Sequence, residues 1–192
     1  MKTYTLADIA VLVDKYSDSI DFGSTDEAVD DVLIEKAEKT LGLQFTSSYK
    51  SFLKNYGRGE ICGEEICSVY DTNFEIVRSD DIVYKNLNYR KNGFATPQQL
   101  IVSRTDFGET FFFDYTQFRD GECPLYVMLP SEDCEYYASN FYEFLCKRIK
   151  ESVGAEILDG DQPIAKVEKT PYPQPLPFYK SLWKKLWRRD NS

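Results

Sequence analysis

Apolar side chains recur at helical spacing near the N-terminus of the chain. Across residues 6–16 they fall at i, i+3, i+4 and i+7, which predicts a short amphipathic helix. A second helix is predicted to begin at Ser24, which can form a capping box with Glu27, and to end at Gly42. The predicted buried stripe of this second helix consists of Val29, Val32, Leu33 and Ala37.

A third helix is predicted between Thr46 and Gly57. The threonine hydroxyl can cap its first turn, and the glycine can end it because glycine accepts the left-handed backbone that follows many helices. Its apolar stripe consists of Tyr49, Phe52, Leu53 and Tyr56. The caps, stripes and stops of residues 24–59 are therefore interpreted as folding signals, and none of these residues is predicted to be catalytic.

After Gly59 the helical spacing gives way to shorter apolar runs. The predicted strands cover 60–70, where Gly63 divides one or two short strands, then 100–102, 109–115 and 123–129. Turns are predicted at 106–108 and 120–121, and residues 74–89 are predicted to be irregular with a helical turn. Such short connections predict an antiparallel meander.

The last predicted element of the body is a helix over residues 137–151. The order of helices, strands and a final helix predicts an α+β domain over residues 1–153. Its centre is predicted to be a mostly antiparallel, twisted sheet, packed by the N-terminal helices and by the closing C-terminal helix.

Residues 154–192 are predicted to form a C-terminal extension. Alternating prolines at 171–177 favour a polyproline II spacer. The basic segment that follows contains both tryptophans of the chain, and the candidate docking residues on its apolar side are Tyr179, Leu182, Trp183, Leu186 and Trp187. Such a segment could dock on a partner, on a membrane surface or on the acidic body of its own chain, and these alternatives remain open.

The formal charge of −9 is concentrated in the body, where residues 1–153 carry 16 basic and 27 acidic side chains. An acidic surface repels phosphate backbones, which argues against direct binding of nucleic acid. It favours encounter with a basic partner, because complementary fields speed association. The same charge could also serve solubility alone.

Several classes of chemistry are excluded by composition. The chain contains no histidine, so catalysis by Ser-His-Asp or Cys-His groups and metal sites with histidine ligands are excluded. Its five cysteines are odd in number and show no paired spacing, which favours reduced thiols and a cytoplasmic location. No signal peptide and no membrane span are predicted. We predict no catalytic residue, no metal and no cofactor.

Three short motifs occur in an order that resembles the SUKH superfamily, the SMI/KNR-like domains, and YobK-type antitoxins within it. The first motif is Leu41-Gly42, followed by Tyr49-x-x-Phe52-Leu53 and the Gly57-Arg58-Gly59 exit. The second is the Gly121–Val127 strand with Pro124, and the third is the Ser139–Leu145 helix start. Phe45-Thr46 stands where that family has Leu-Pro, and the resemblance covers residues 24–150.

This resemblance implies a binding role. SUKH proteins are mostly immunity proteins that neutralise a cognate bacterial toxin, often a nuclease, and others act as scaffolds. The chain is therefore predicted to block a basic toxin by occlusion and charge complementarity, with a regulatory scaffold or a peripheral membrane adaptor as the alternative. The candidate partner-binding residues are Glu60, Glu64, Glu65, Tyr70, Asp71, Asp106 and Glu109.

Overall fold

The computed structural model describes residues 3–70 and 78–154, which contain five α-helices and one seven-stranded sheet. The helices are α1 (Leu6–Lys15), α2 (Asp31–Leu41), α3 (Ser47–Asn55), α4 (Ile82–Lys91) and α5 (Phe141–Ser152). The strands are β1 (Ile20–Phe22), β2 (Gly59–Ile61), β3 (Glu64–Ile66), β4 (Gln99–Arg104), β5 (Thr110–Asp114), β6 (Leu125–Met128) and β7 (Cys134–Ala138). The strands lie in sequence order and every neighbouring pair is antiparallel, so the predicted α+β class is confirmed.

Several predicted helix boundaries are confirmed by their capping contacts. The hydroxyl of Thr46 accepts a hydrogen bond from the Tyr49 amide (3.3 Å) at the start of α3. Gly42 follows α2 with a left-handed φ of 69°, and Gly57 follows the end of α3 with a φ of 70°. These signals act within a few residues, which is why they could be identified before the tertiary structure was known.

The predicted start of the second helix is wrong. Ser24 does form its capping box, but the box caps a single 3₁₀ turn, Thr25–Glu27. The backbone is extended at Ala28, because the Val29 amide donates to the Leu53 carbonyl (3.0 Å) instead of continuing a helix. The later start shifts the buried side of α2 to Ile34, Ala37 and Leu41, and it leaves Val32 76% exposed.

Two elements in the second half also differ from prediction. Most of the ten-residue helix α4, capped by Asp81, lies in the stretch expected to be irregular, while residues 74–77 lie outside the described residues. The predicted closing helix begins at Phe141, after Asn140, and the preceding residues form the edge strand β7. The sequence of β7, Cys-Glu-Tyr-Tyr-Ala, lacks the apolar–polar alternation that would have marked it as a strand.

One face of the sheet packs against the helices through an aromatic cluster. The ring of Phe141 on α5 lies 4.9 Å from Tyr49, 5.4 Å from Phe52, 5.8 Å from Phe113 and 5.3 Å from Phe144, measured between ring centroids. All five side chains are fully buried. Aromatic pairs at these distances stabilise a core beyond their buried area.

Helix α4 replaces a missing strand partner for β4. The β3 strand is short and pairs with β4 at Ser103, so the β4 backbone at Ile101 has β5 on one side and no strand on the β3 side. The side-chain amide of Asn86 accepts a hydrogen bond from the Ile101 amide (2.7 Å) and donates one to its carbonyl (2.9 Å). Asn86 therefore satisfies both backbone groups and anchors α4 beside the sheet.

Candidate functional site

An acidic row crosses the exposed side of the first three strands. The register of β1, β2 and β3 places Asp21 opposite Glu60 and Glu60 opposite Glu65, and all three side chains are exposed. Arg58 pairs with Asp21 (2.9 Å), whereas Glu60 and Glu65 form no ion pair within the described residues. Like charges that face each other across strands repel, so the row destabilises the isolated protein unless a cation lies over it.

Glu64 lies on the other side of β3 and is used inside the fold. Glu64 is only 8% exposed. One carboxylate oxygen accepts a hydrogen bond from Ser103 Oγ (2.5 Å), and the other accepts from Arg148 Nε (3.1 Å) and Nη2. Because these internal partners occupy the carboxylate, we remove Glu64 from the predicted partner-binding residues.

Tyr70 lies in a small charged cluster after β3. The Arg78 guanidinium carbon is 3.6 Å from the centre of the Tyr70 ring, and the tyrosine hydroxyl donates to Asp80. Burial alone would raise the pKa of Asp80, but the hydrogen bonds from Arg78 and Tyr70 outweigh burial and lower it. Tyr70 is half-buried, and the neighbouring candidate Asp71 lies outside the described residues.

The remaining two candidates lie on the connection between β4 and β5. Asp106 is exposed and Glu109 is half-buried, with the Glu109 amide donating to Thr105 Oγ1 (3.2 Å). The pairing of Ile66 with Ser103 places this connection at the same end of the sheet as the β2–β3 hairpin. The fold therefore brings Glu60 and Glu65 of the β2–β3 hairpin to the same end of the sheet as Asp106 and Glu109.

A family model described as SMI1-KNR4 cell-wall (SUKH_6) matches residues 31–145, which is more than half of the chain. The chain belongs to the SUKH superfamily. The matched region of this SUKH protein begins at the first residue of α2 and ends within α5, so it includes Glu60, Glu65, Asp106 and Glu109. No curated protein matches the chain.

Two further observations concern other kinds of site in the SUKH domain. Within residues 3–70 and 78–154, no three His, Cys, Asp or Glu side chains gather as a metal site would require. In the same part of the chain, no helix is both long and apolar enough to cross a bilayer. The candidate docking residues Tyr179, Leu182, Trp183, Leu186 and Trp187 lie outside the described residues, so their role stays a prediction.

Two functional details of this SUKH domain were not predicted from the sequence. Asp21 joins the acidic row although 39 positions separate it from Glu60, because only strand pairing makes them neighbours. The partner of Glu64, Arg148, lies 84 positions away on α5. No local spacing connects either pair, whereas the alternation of side chains along a strand is enough to place Glu64 and Glu65 on opposite sides.

Asp81, which caps α4, is expected to make stability depend on pH. Its Oδ1 accepts from the Val83 and Tyr84 amides (2.7 and 2.9 Å), while Oδ2 is buried without a partner among the described residues. Burial raises the pKa of Asp81 above its ordinary value of 3.8, although the two amides oppose the rise. A raised folded-state pKa contributes stability below the unfolded-state value, and this stability is lost as pH rises through the folded-state pKa.

The variant Asp81→Asn keeps a good capping side chain and removes this titration. Its free energy of unfolding minus that of the wild type is therefore expected to increase from about pH 3 to about pH 7. Urea denaturation at several pH values measures this difference. A difference that stays constant or decreases over the range contradicts the expectation.

Proposed function

We propose that this SUKH protein is an immunity protein that binds a basic toxin domain through the exposed acidic side of its sheet and blocks it by occlusion. The contact residues in the proposal are Glu60, Glu65, Tyr70, Asp71, Asp106 and Glu109, now joined by Asp21. Members of this family are generally non-catalytic, which fits a role in binding. A cytoplasmic location and a nuclease as the toxin are parts of the same proposal.

The observation that carries the proposal is the acidic row of Asp21, Glu60 and Glu65. Two of its carboxylates, Glu60 and Glu65, face each other and form no ion pair within the described residues, although Lys85 acts on Glu65 over a longer distance. Such a pair lowers the stability of the free protein by about 0.2–1 kcal/mol. Lysine or arginine side chains on a partner would relieve this repulsion, and the field of the row would steer such a partner toward the surface.

Co-expression with the product of the neighbouring reading frame tests the proposed function. We expect the chain to restore growth of cells that express this toxin, and we expect the two proteins to elute together in gel filtration. Failure of both the growth rescue and the co-elution contradicts the proposal.

The double variant Glu60→Gln with Glu65→Gln is expected to change stability and binding in opposite directions. Removal of the repulsion should raise the free energy of unfolding by up to about 1 kcal/mol. Loss of the field should slow association with the toxin about three- to tenfold at low salt, with a smaller effect at high salt. Thermal unfolding and surface plasmon resonance measure the two effects.

The matched control is Asp14→Asn with Glu35→Gln, which removes the same charge from exposed positions on α1 and α2. We expect this control to leave the association rate within about twofold of the wild type. Equal slowing by both double variants would mean that net charge matters and that the acidic row does not.

A further inference from the structure

The connection between β4 and β5 presents an aromatic side chain to solvent. Phe107 is 87% exposed, although phenylalanine is among the residues most often buried. The turn that carries it is closed by a hydrogen bond from the Gly108 amide to the Thr105 carbonyl (3.0 Å), and Gly108 has a left-handed φ of 92°. Phe107 is therefore held at the tip of an ordered turn.

A groove of about 410 Å³ opens beside this turn. Ile101 and Phe112 line it from the side of the sheet that faces away from the aromatic cluster, and Met128 on β6 extends this apolar lining. Phe94, which is 60% exposed, lines it from the connection between α4 and β4. Gly108 also lines the groove, so its chain neighbour Phe107 lies next to the groove.

The charged side chains on two connections beside the groove are acidic, whereas the groove itself is lined by uncharged residues and Arg104. A Cβ placed on Gly108 would lie 3.5 Å from Pro130, so the β4–β5 and β6–β7 connections adjoin each other. Together these connections carry Asp106, Glu109, Glu132 and Asp133, none of which forms an ion pair within the described residues. Arg104 lines the groove and donates to Tyr89 Oη (3.1 Å).

We propose that Phe107 and this groove form the apolar anchor for the basic toxin. Phe107 enters a pocket on the toxin, an apolar toxin side chain occupies the groove, and toxin lysines or arginines face the four carboxylates. This inference rests on the proposed function and names the centre of its interface. An aromatic anchor surrounded by polar groups is the usual arrangement of an interface hot spot.

Charge complementarity selects this occupant over a second copy of the chain. Two copies would bring eight carboxylates together at the contact, and each chain already carries a formal charge of −9. Repulsion of this kind opposes self-association, whereas a basic protein surface gains from the same charges.

The test compares binding of an inactivated toxin domain, taken from the neighbouring reading frame, to the full chain and to Phe107→Ala. The variant is expected to bind about 30-fold more weakly, through faster dissociation, at low and at high salt alike. Phe107→Leu should restore binding to within about threefold, because it keeps an apolar side chain at the anchor. Thermal unfolding should be unchanged, since the residue is exposed.

The matched control is Val11→Ala, which truncates another exposed apolar residue (65%) on α1 and should leave affinity unchanged. If the wild type binds the toxin but Phe107→Ala binds within twofold of it, the anchor is wrong and the proposed function stands. If the wild type itself does not bind, the proposed function fails first.

Two other occupants of the groove would each give a distinct experimental result. The first is a second copy of the chain. It would be the occupant of the groove if the free chain were a dimer, and if Phe107→Ala made it a monomer without changing its affinity for the toxin. The C-terminal extension is the second alternative. It would be the occupant of the groove if truncation after Gly154 removed hydrogen exchange protection of residues 94–108 and the toxin did not alter this protection. Either result overturns the anchor.

Discussion

Replacing Arg148 with methionine is expected to lower the free energy of unfolding by about 3–5 kcal/mol. Arg148 is the cation that neutralises Glu64, and it also pairs with Glu151 through Nη1 (2.9 Å). Burial disfavours the charge on Arg148, but the hydrogen bonds to Glu64 outweigh burial and raise its pKa. Without the guanidinium, the buried carboxylate keeps the hydroxyl of Ser103 as its one side-chain partner within the described residues.

Arg58 provides the matched control, because it too bonds two carboxylates. It contacts Asp21 (2.9 Å) and Glu27 (2.8 Å), but the three side chains are 40%, 65% and 46% exposed. Solvent screens such pairs, so Arg58→Met is expected to cost no more than about 1 kcal/mol. Chemical denaturation of both variants measures the contrast, and equal losses would contradict the assignment of Glu64 and Arg148 to the interior.

The double variant Glu64→Gln with Arg148→Met is expected to recover part of the loss. It removes the unpaired charge together with its former partner, and the neutral amide can still contact Ser103. A double variant as unstable as Arg148→Met alone would show that the loss comes from the packing of the arginine against Phe111, whose ring centre lies 4.8 Å from the guanidinium carbon.

Gly57→Ala is the second change with a large expected effect. Gly57 has a φ of 70°, and a Cβ on it would lie 1.9 Å from the Glu27 carbonyl oxygen, which is backbone and cannot rotate away. The segment from Glu27 to Val29 would therefore have to leave its place against the end of α3. We expect a loss of at least about 3 kcal/mol in the free energy of unfolding.

Gly42→Ala is the control for the backbone conformation alone. Gly42 has nearly the same φ, 69°, but no atom lies within 4 Å of a Cβ placed on it. Its substitution is expected to cost about 1–2 kcal/mol, the strain of a left-handed conformation. If Gly42→Ala and Gly57→Ala have the same thermal stability, the close approach of the Glu27 carbonyl does not contribute.

Local signals explain which parts of the fold could be predicted. Thr46, Gly42 and Gly57 mark helix ends through hydrogen bonds and backbone angles within one helical turn, so these ends can be inferred from neighbouring residues. The close approach of Gly57 to the Glu27 carbonyl could not be inferred in this way. The start of α2 was missed because a residue of α3 decides it: the Leu53 carbonyl takes the Val29 amide. The strand β7 was missed because its pairing with β6 outweighs a sequence that lacks alternation.

The candidate site, like the fold, could be predicted from the sequence only in part. Alternation of side chains along a strand is enough to place Glu64 and Glu65 on opposite sides. Which of the two is buried depends on Arg148 and Ser103, which the fold brings from 84 and 39 positions away. The exposure of Phe107 likewise depends on the turn from Thr105 to Gly108 and on its position next to a groove formed by distant strands.

By itself the sequence determined the α+β class, the antiparallel meander, the helix ends at glycine and the order of motifs that marks the SUKH superfamily. These features depend on interactions between residues a few positions apart or on the order of such segments. Only the tertiary structure decided that Asp21, Glu60 and Glu65 form one row and that Glu64 belongs to the interior. Strand register and burial arise when distant segments meet, and no local pattern specifies where they do.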